Sequence, residues 1–297
     1  MNGTRLLTKR TRPFILCVLV LCMFVLARVW GRIGSPNAPQ VPANGGWQSL
    51  EEGLDFGDFA APASSFLSDS RITVLRIDPS RFSLVLECAS AMPDLRPRTA
   101  REWATEKGLV GAINASMYRG DHRTSVDLMK TAKHVNNSVL TVDKAVLAFD
   151  RLTASVPRVQ IIDRDCQNFS QLQFLYGTLV QSIRMINCFQ QNVWSEQSKK
   201  WSNAAIGIDK HGRVLFLFVR SPYSTHDFTD MLLRLPLDLF NAMYVEGGPE
   251  AQLYVNAGGM QIERFGSFET GFFESDTNSR AWPVPNVIGV VRFKQPR

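Results

Sequence analysis

The sequence predicts an α+β fold: a mixed, mostly antiparallel sheet with a few flanking helices, in a single domain after an N-terminal apolar segment. The main observation is a pair of β-rich segments joined by a turn over residues 204–220. An amphipathic helical pattern follows over residues 224–235, and another β-rich segment begins near residue 241. The order strand, strand, helix, strand is typical of a sheet covered by a small number of helices.

The composition is that of a globular protein, with 297 residues of which 45% are hydrophobic and 20% charged. These values argue against disorder throughout the chain. The formal charge of +6 comes from the start of the chain, because the first 32 residues carry six Lys and Arg and no acid, leaving 27 basic and 27 acidic residues downstream. A neutral folded part gives no electrostatic reason to expect nucleic acid as a partner.

The basic N-terminus leads into an uninterrupted apolar run of 14 residues, 14–27. This arrangement is typical of a secretory signal peptide, and residues 14–30 approach the roughly 20 residues that a membrane-spanning helix needs. Residues 1–30 are therefore predicted to be a signal peptide or a signal anchor, and both alternatives stay open. In either case the rest of the chain is expected to be exported to the periplasm or another extracytoplasmic compartment, with residues 14–30 as its contact with the membrane.

The next stretch, residues 31–65, opens with a segment rich in Pro, Gly and Asn. A segment of this composition buries too little apolar surface to offset the entropy of ordering. Residues 31–65 are therefore predicted to be a flexible linker, and the folded domain is predicted to span residues 66–297.

The first half of the domain shows a hairpin pattern, a helix and a strand. Residues 72–78 and 82–87 are β-rich and are predicted to pair as a hairpin around Pro79 and Ser80. Residues 99–108 have a capping residue, charged faces and a terminal Gly, which predict a short helix. Residues 109–114 are apolar up to Asn114 and predict a buried strand.

The second half has the clearest pattern. The turn of the 204–220 hairpin is predicted at residues 209–212. Ser224 and Asp227 have the spacing of a helix cap in front of the apolar positions of the next segment. The segments 241–248 and 286–293 predict two further strands.

The predicted export determines how the cysteines are interpreted, because exported proteins reach oxidising compartments. Cys166 and Cys188 are predicted to form a disulfide in an oxidising compartment, and the alternative is that they and Cys88 are small buried apolar residues. The sequence has four His and no zinc-binding motif, so no zinc site and no obligatory cofactor is expected.

Three predicted strands end in polar or glycine residues, at Asn114, Arg220 and Glu246. Ligand sites of sheet proteins gather at strand ends, where loops present side chains from a rigid frame. The segment Met243–Tyr254, "MYVEGGPEAQLY", places two carboxylates around a glycine pair and is the strongest candidate for a site.

At these positions the chain resembles the phosphodiester glycosidase family. "AINASMYRGD" (residues 112–121) is similar to the family's Asn-Gly-Gly-Phe-Phe or Asn-Ala-Gly-Met-Tyr segment. "AMYVEGGPEAQLYV" (residues 242–255) is similar to its Leu-Asp-Gly-Gly-Gly-Ser segment, and the hairpin followed by a helix lies between them. The similarity extends over most of residues 70–295.

The resemblance implies a glycosidase that hydrolyses a sugar phosphodiester or related envelope glycan at the anomeric carbon. Glu246 is the expected principal carboxylate, with Asp227 or Asp127 as the second carboxylate that glycosidases use. Backbone amides at the glycine pair and an arginine are expected to hold the phosphate. The expected substrate-binding residues are Asn114, Arg220, His226, Gly247, Gly248 and Glu250.

Departures from the family segments leave alternatives. Glu246 stands where the family commonly has Asp, Glu250 where many members have Ser, and Asp127 at a family Gly. The added carboxylates favour a non-catalytic glycan-binding or envelope-assembly module on the same fold. They also suit a divalent cation held by Glu246, Glu250 and Asp127. In addition, Asp227 fits a plain helix cap, and Trp194, Trp201 and Tyr223 fit either sugar stacking or packing.

Overall fold

The computed structural model describes residues 46–293, and every strand pairing within this range is antiparallel. Strands and helices are numbered in chain order. The strands of the largest sheet, sheet A, are β1 (Trp47–Glu51), β2 (Leu54–Ala60), β3 (Arg71–Ile77), β11 (Arg184–Ile186), β12 (Trp201–Asp209), β13 (Val214–Tyr223) and β14 (Leu239–Gly247). They lie in the order β1-β2-β3-β13-β12-β14-β11.

Two five-stranded sheets complete the β-structure. The strands of sheet B, ordered from one edge to the other, are β16 (Met260–Phe265), β15 (Gln252–Ala257), β5 (Gly111–Asn114), β17 (Asn286–Arg292) and β4 (Phe82–Cys88). The strands of sheet C, in the same manner, are β7 (Val135–Asn137), β6 (Met129–Lys130), β10 (Tyr176–Ser182), β8 (Ala145–Arg151) and β9 (Gln160–Asp163). Apolar residues of all three sheets share one core.

The helices of residues 46–293 are few and short. They are α1 (Ala100–Lys107), α2 (Phe169–Leu172) and α3 (Thr225–Arg234), with 3₁₀ turns at Ala89–Ala91 and Gly248–Glu250. Both ends of the predicted 99–108 helix are as expected: the Thr99 hydroxyl and the Glu102 carboxylate cap each other's backbone amides, and Gly108 has a φ of 67°. Ser224 caps α3 by accepting the Asp227 amide.

The hairpin at residues 204–220 is confirmed as β12 and β13. Its apolar residues alternate between two cores: Phe216 and Phe218 face the core shared with the other sheets, whereas Leu217 packs with Phe228 of α3. Both faces of the central strands are therefore buried, which explains their continuous apolar sequence. Strand β14 lies beside β12, and its C-terminal end reaches the rim of sheet A.

The fold is mostly β, which corrects the predicted α+β class in part. The antiparallel sheet and the small number of helices are as predicted. However, the three sheets pack on one another through the shared core. Among the described residues, only α1 and α3 are longer than a single turn of helix.

The predicted pairing of residues 72–78 with 82–87 is wrong. Both edges of β3 are occupied by β2 and β13, and β4 pairs with β17 in sheet B. The turn that starts at Asp78 therefore carries the chain from one sheet to another.

The predicted linker over 31–65 is too long, because residues 47–60 form the hairpin β1–β2 at the edge of sheet A. Leu54 and Phe56 are fully buried in the shared core. The Trp47 ring packs against Phe59 and lies under the Arg76 guanidinium at 3.7 Å. The Pro- and Gly-rich composition of residues 34–46 concealed the apolar alternation that follows it.

No helix between residues 46 and 293 is long and apolar enough to cross a membrane. The predicted signal segment, residues 1–30, lies outside the described residues. Cys166 and Cys188 are joined in a disulfide, and Cys88 is free and buried.

Candidate active site

A cleft of about 560 Å³ opens where β14 ends. Three carboxylates line it, Glu246, Glu250 and Glu269. Its wall contains five large aromatic side chains, those of Tyr118, Trp194, Trp201, Tyr244 and Phe272. An acidic interior with aromatic walls is suited to a saccharide, because sugar rings pack on aromatic faces and carboxylates contact their hydroxyls and the anomeric carbon.

A β-bulge places Glu246 in the cleft. Along β12 and β14, Ala204 pairs with Glu246 while the next residue, Ala205, pairs with Tyr244, so Val245 is the extra residue. Bulges of this kind redirect side chains and are frequent beside active sites. Tyr244 and Glu246 both line the cleft, and Val245 is buried in the shared core.

The glycine pair makes room for protein side chains. A Cβ on Gly247 would collide with Trp201 and the Tyr244 hydroxyl, and a Cβ on Gly248 would collide with the Glu269 carboxylate. Gly248 also has a φ of 63°, which favours glycine. The Gly247 amide donates to Glu246 Oε1 at 3.0 Å, so it is already occupied and does not serve as the free phosphate donor that the sequence suggested.

Burial raises the pKa of each of the three cleft carboxyls. Burial raises the pKa of Glu246 to about 8, the Gly247 amide opposes that rise, and Glu250 and Glu269 add to it. Burial also raises the pKa of Glu250 and, against the opposing charge of Lys199, that of Glu269. Glu246 is therefore neutral near pH 7 and is able to donate a hydrogen bond.

The tyrosine hydroxyls of the cleft also stay protonated. Burial raises the pKa of both Tyr118 and Tyr244, and the neighbouring glutamates raise it further. The cleft walls therefore carry neutral tyrosine hydroxyls that are able to donate hydrogen bonds, beside glutamates whose pKa values are raised.

Asn114 does not line the cleft and instead supports the segment that does. It is 2% exposed, and its Oδ1 accepts the Gln252 amide at 2.9 Å, which fixes the start of β15 just after Glu250. Asn114 was predicted to bind substrate, but in the structure it fixes the segment that carries Glu250.

Arg220 and His226 are likewise engaged in structural contacts. Arg220 donates to Asp276 and to the carbonyl oxygens of Phe265, Asp276 and Asn278, so its guanidinium is used in fixing the 265–278 segment. His226 Nδ1 donates to the Trp194 carbonyl oxygen at 2.6 Å and thereby fixes the segment that bears the Trp194 ring. Neither residue lines the cleft.

The two aspartates predicted as catalytic partners are outside the cleft as well. Asp227 is exposed in the first turn of α3. Asp127 is fully buried, accepts the Thr141 hydroxyl at 2.6 Å, and has a pKa raised to about 6 by burial. The cation set of Glu246, Glu250 and Asp127 is therefore not assembled. Tyr223, another sugar-stacking candidate, is buried and donates to the Ala63 carbonyl oxygen.

Glu269 is the cleft carboxylate that the sequence did not predict. It lies 23 positions after Glu246 in a segment without regular periodicity, and the long connection from β16 to β17 folds it back over Gly248. Trp201 pairs with Glu269 through an isolated bridge, so the start of β12 fixes this segment. Tyr118 stood within the quoted 112–121 segment, and its position there was the available signal.

The family model for phosphodiester glycosidases matches residues 107–291, from the end of α1 to β17. The chain belongs to the phosphodiester glycosidase family.

Solved structures share the fold of this chain at low sequence identity. The zebrafish N-acetylglucosamine-1-phosphodiester alpha-N-acetylglucosaminidase catalytic domain, auto-inhibited by its propeptide, has a TM-score of 0.57 and 11% identity, over 86% of each chain. A hypothetical protein from Synechocystis has a TM-score of 0.56 and 13% identity, over 84% of this chain and 64% of the other. No curated protein matches this chain.

The departures from the family segments have clear structural settings. Glu246, in place of the common Asp, folds back onto the Gly247 amide, and Glu250, in place of Ser, lines the cleft near Tyr118. Ser116 occupies a glycine position of the family segment with a φ of 150°, a region that favours glycine.

The raised pKa of Glu246 predicts a stability that falls with rising pH. The Glu246 carboxyl has a pKa of about 8 in the folded protein and 4.5 in the unfolded chain. Between pH 4.5 and pH 8 the folded state therefore binds more protons than the unfolded state. Its contribution is full below about pH 4.5 and is lost as pH rises through about 8. Thermal unfolding of wild type and Glu246→Gln at about pH 5.5 and 8.5 should show the variant gaining roughly 3 kcal/mol relative to wild type at the higher pH. A relative stability that does not change with pH would contradict the assignment.

Proposed function

We propose that this phosphodiester glycosidase hydrolyses a glycosyl phosphodiester at the anomeric carbon. The observation that carries the proposal is the convergence of Glu246, Glu250 and Glu269 in one aromatic-walled cleft. The sugar specificity named for the zebrafish enzyme makes an N-acetylglucosaminyl phosphodiester the first substrate to test.

The leaving group decides what the site must supply. Hydrolysis expels a phosphate monoester, whose second pKa is about 6, so it departs without a strong acid. A phosphodiester is also an anion, and three ionised glutamates would repel it. A neutral Glu246 removes that repulsion at its own position and donates a hydrogen bond to a phosphate oxygen, as a buried protonated carboxyl does at other sites of developing charge.

Glu269 is proposed as the ionised partner. Its carboxylate packs over Gly248; burial raises its pKa, and the positive charge of Lys199 opposes that rise. In the proposed step, water adds its oxygen to the anomeric carbon and gives a proton to Glu269. The bond between that carbon and the phosphate oxygen breaks, and the phosphate monoester leaves with the electron pair. The same negative charge stabilises the oxocarbenium character of the sugar.

The aromatic wall is proposed to hold the sugar ring. The Trp194 and Tyr244 rings lie 5.3 Å apart between centroids and form a continuous apolar surface near Glu246. Trp201 closes the cleft near Gly247.

Action outside the cytoplasm is part of the proposal. The Cys166–Cys188 disulfide supports it, because such bonds persist in oxidising compartments. Tethering through residues 14–30 stays a prediction from the sequence.

The test is release of sugar from N-acetylglucosaminyl methyl phosphate, compared with methyl N-acetylglucosaminide as a matched ligand without phosphate. We expect kcat/KM for the phosphodiester to exceed that for the neutral glycoside by at least about 100-fold, because the poor alcohol leaving group needs protonation that the phosphate does not. Equal cleavage of both would indicate an ordinary glycosidase. Saturable binding without cleavage of any glycosyl phosphodiester would favour the glycan-binding module instead, to which the additional carboxylates of the cleft also lend themselves.

A further inference from the structure

A second cavity, here called the outer basin, adjoins the cleft and has a volume of about 750 Å³. The two share Tyr118, His122, Glu250 and Phe272 as a common wall, so a bound molecule is able to extend from one into the other. The residues particular to the outer basin include Arg96, Arg280 and Trp282.

The two cavities differ in their balance of charge. The cleft is lined by three glutamates and Arg119, whereas the outer basin is lined by Arg96 and Arg280 together with Glu102 and the shared Glu250. Arg280 is exposed and forms no ion pair with any residue between 46 and 293. Its guanidinium is therefore available to an anion from solution.

Arg96 is only loosely neutralised. Its nearest carboxylates, those of Glu102 and Asp94, lie at 3.6 and 3.8 Å. Both acids have closer partners: Glu102 accepts the Thr99 amide at 2.8 Å, and Asp94 pairs with Arg98 at 2.7 Å. An anion in the outer basin would thus meet one free arginine and one weakly paired arginine.

A buried side chain fixes the outer basin relative to the cleft. The Gln252 side chain is 1% exposed, donates to the Trp282 carbonyl oxygen and accepts the Ala100 amide, while its backbone amide is held by Asn114. Gln252 follows Glu250 by two residues. The aromatic Trp282 and the catalytic segment are consequently parts of one hydrogen-bonded frame.

We propose that the outer basin holds the aglycone of the glycosyl phosphodiester and selects aglycones that carry a negatively charged group, which Arg280 and Arg96 bind. This inference rests on the proposed function, since it assigns the alcohol side of the same substrate. The sugar occupies the acidic cleft, the scissile phosphate lies at the common wall, and the second anionic group lies beyond it. Trp282 packs against the intervening part of the aglycone, with its ring supported edge-on by Phe272 at 6.1 Å.

A matched pair of ligands tests the inference. N-acetylglucosaminyl 2-carboxyethyl phosphate and its propyl analogue have similar length and differ in one charge. We expect wild type to favour the carboxyethyl ligand about tenfold in kcat/KM, since one charge-assisted contact is worth about one decade. This preference should fall to near unity in Arg96→Gln/Arg280→Gln and should weaken between about 0.02 M and 0.5 M salt. Arg234→Gln, an exposed arginine at the end of α3, is the control and should keep the wild-type preference.

Binding separates this inference from the proposed function. The dissociation constants of the two ligands, measured by calorimetry with Glu269→Gln and with the same variant lacking both arginines, report on the outer basin without turnover. A carboxyethyl preference that disappears with the arginines supports the inference even if wild type cleaves neither ligand, in which case only the proposed function fails. Equal binding of both ligands, or a preference unchanged by the loss of both arginines, overturns it.

Discussion

Replacement of Glu269 by Gln is expected to lower kcat for glycosyl phosphodiester hydrolysis by at least about 10³-fold while the fold is retained. The amide keeps the shape of the side chain, but it does not accept the proton of the attacking water and carries no charge to stabilise the oxocarbenium character of the sugar. Loss of kcat with an unchanged dissociation constant would place the effect in the transition state. Turnover of labelled substrate at saturating concentration is the measurement.

Asp227→Asn is the matched control for this prediction. It also exchanges a carboxylate for an amide, but at an exposed position of α3 that does not line the cleft. We expect its kcat to stay within about twofold of wild type, with at most a few tenths of a kcal/mol lost from the helix terminus. Comparable activity in Glu269→Gln and wild type would remove Glu269 from the reaction.

Replacement of Gly266 by Ala is expected to destabilise the protein by about 3 kcal/mol and to reduce activity by about 100-fold. A Cβ at Gly266 would collide with the Gly248 carbonyl oxygen and would lie 2.8 Å from Ser202 Cβ. Backbone atoms cannot rotate away as a long side chain can. The collision therefore shifts the turn that joins Glu246 to Glu250 and over which Glu269 packs.

Gly46→Ala serves as the control, because a Cβ at Gly46 would meet no atom within 4 Å. Thermal unfolding and kcat/KM should both be close to those of wild type in this variant. Wild-type activity together with wild-type stability in Gly266→Ala would show that the turn is less constrained than its contacts indicate.

The sequence predicted the elements whose pattern is strong and local. The β12–β13 hairpin, the capped helix α3 and the return along β14 follow directly from turn residues, cap spacing and apolar runs. Partner strands are a different matter: β3 and β4 are neighbours in the chain but lie in different sheets, because pairing depends on which edges remain free. Similarly, Pro and Gly before residue 47 obscured a hairpin that becomes stable only against Arg76 and the shared core.

The site was predictable to the extent that its residues lie beside glycines at a strand end. Glu246 and Glu250 stand in one such segment, and both line the cleft. Arg220 was predicted at a strand end but lies within β13, and its side chain donates to carbonyl oxygens of the 265–278 segment, whose path no local pattern reveals. For the same reason Glu269, carried by that segment, had no signal in the sequence.

The Gln252 contacts fix the spacing between the cleft and the outer basin. Since these hydrogen bonds lie within the protein, the fold itself sets the distance between the sugar and aglycone positions, and binding requires little loss of conformational freedom from the protein. Substrates are thus selected by length as well as by charge. A substrate whose spacer is too short or too long does not contact the aromatic wall of the cleft and the arginines of the outer basin at the same time.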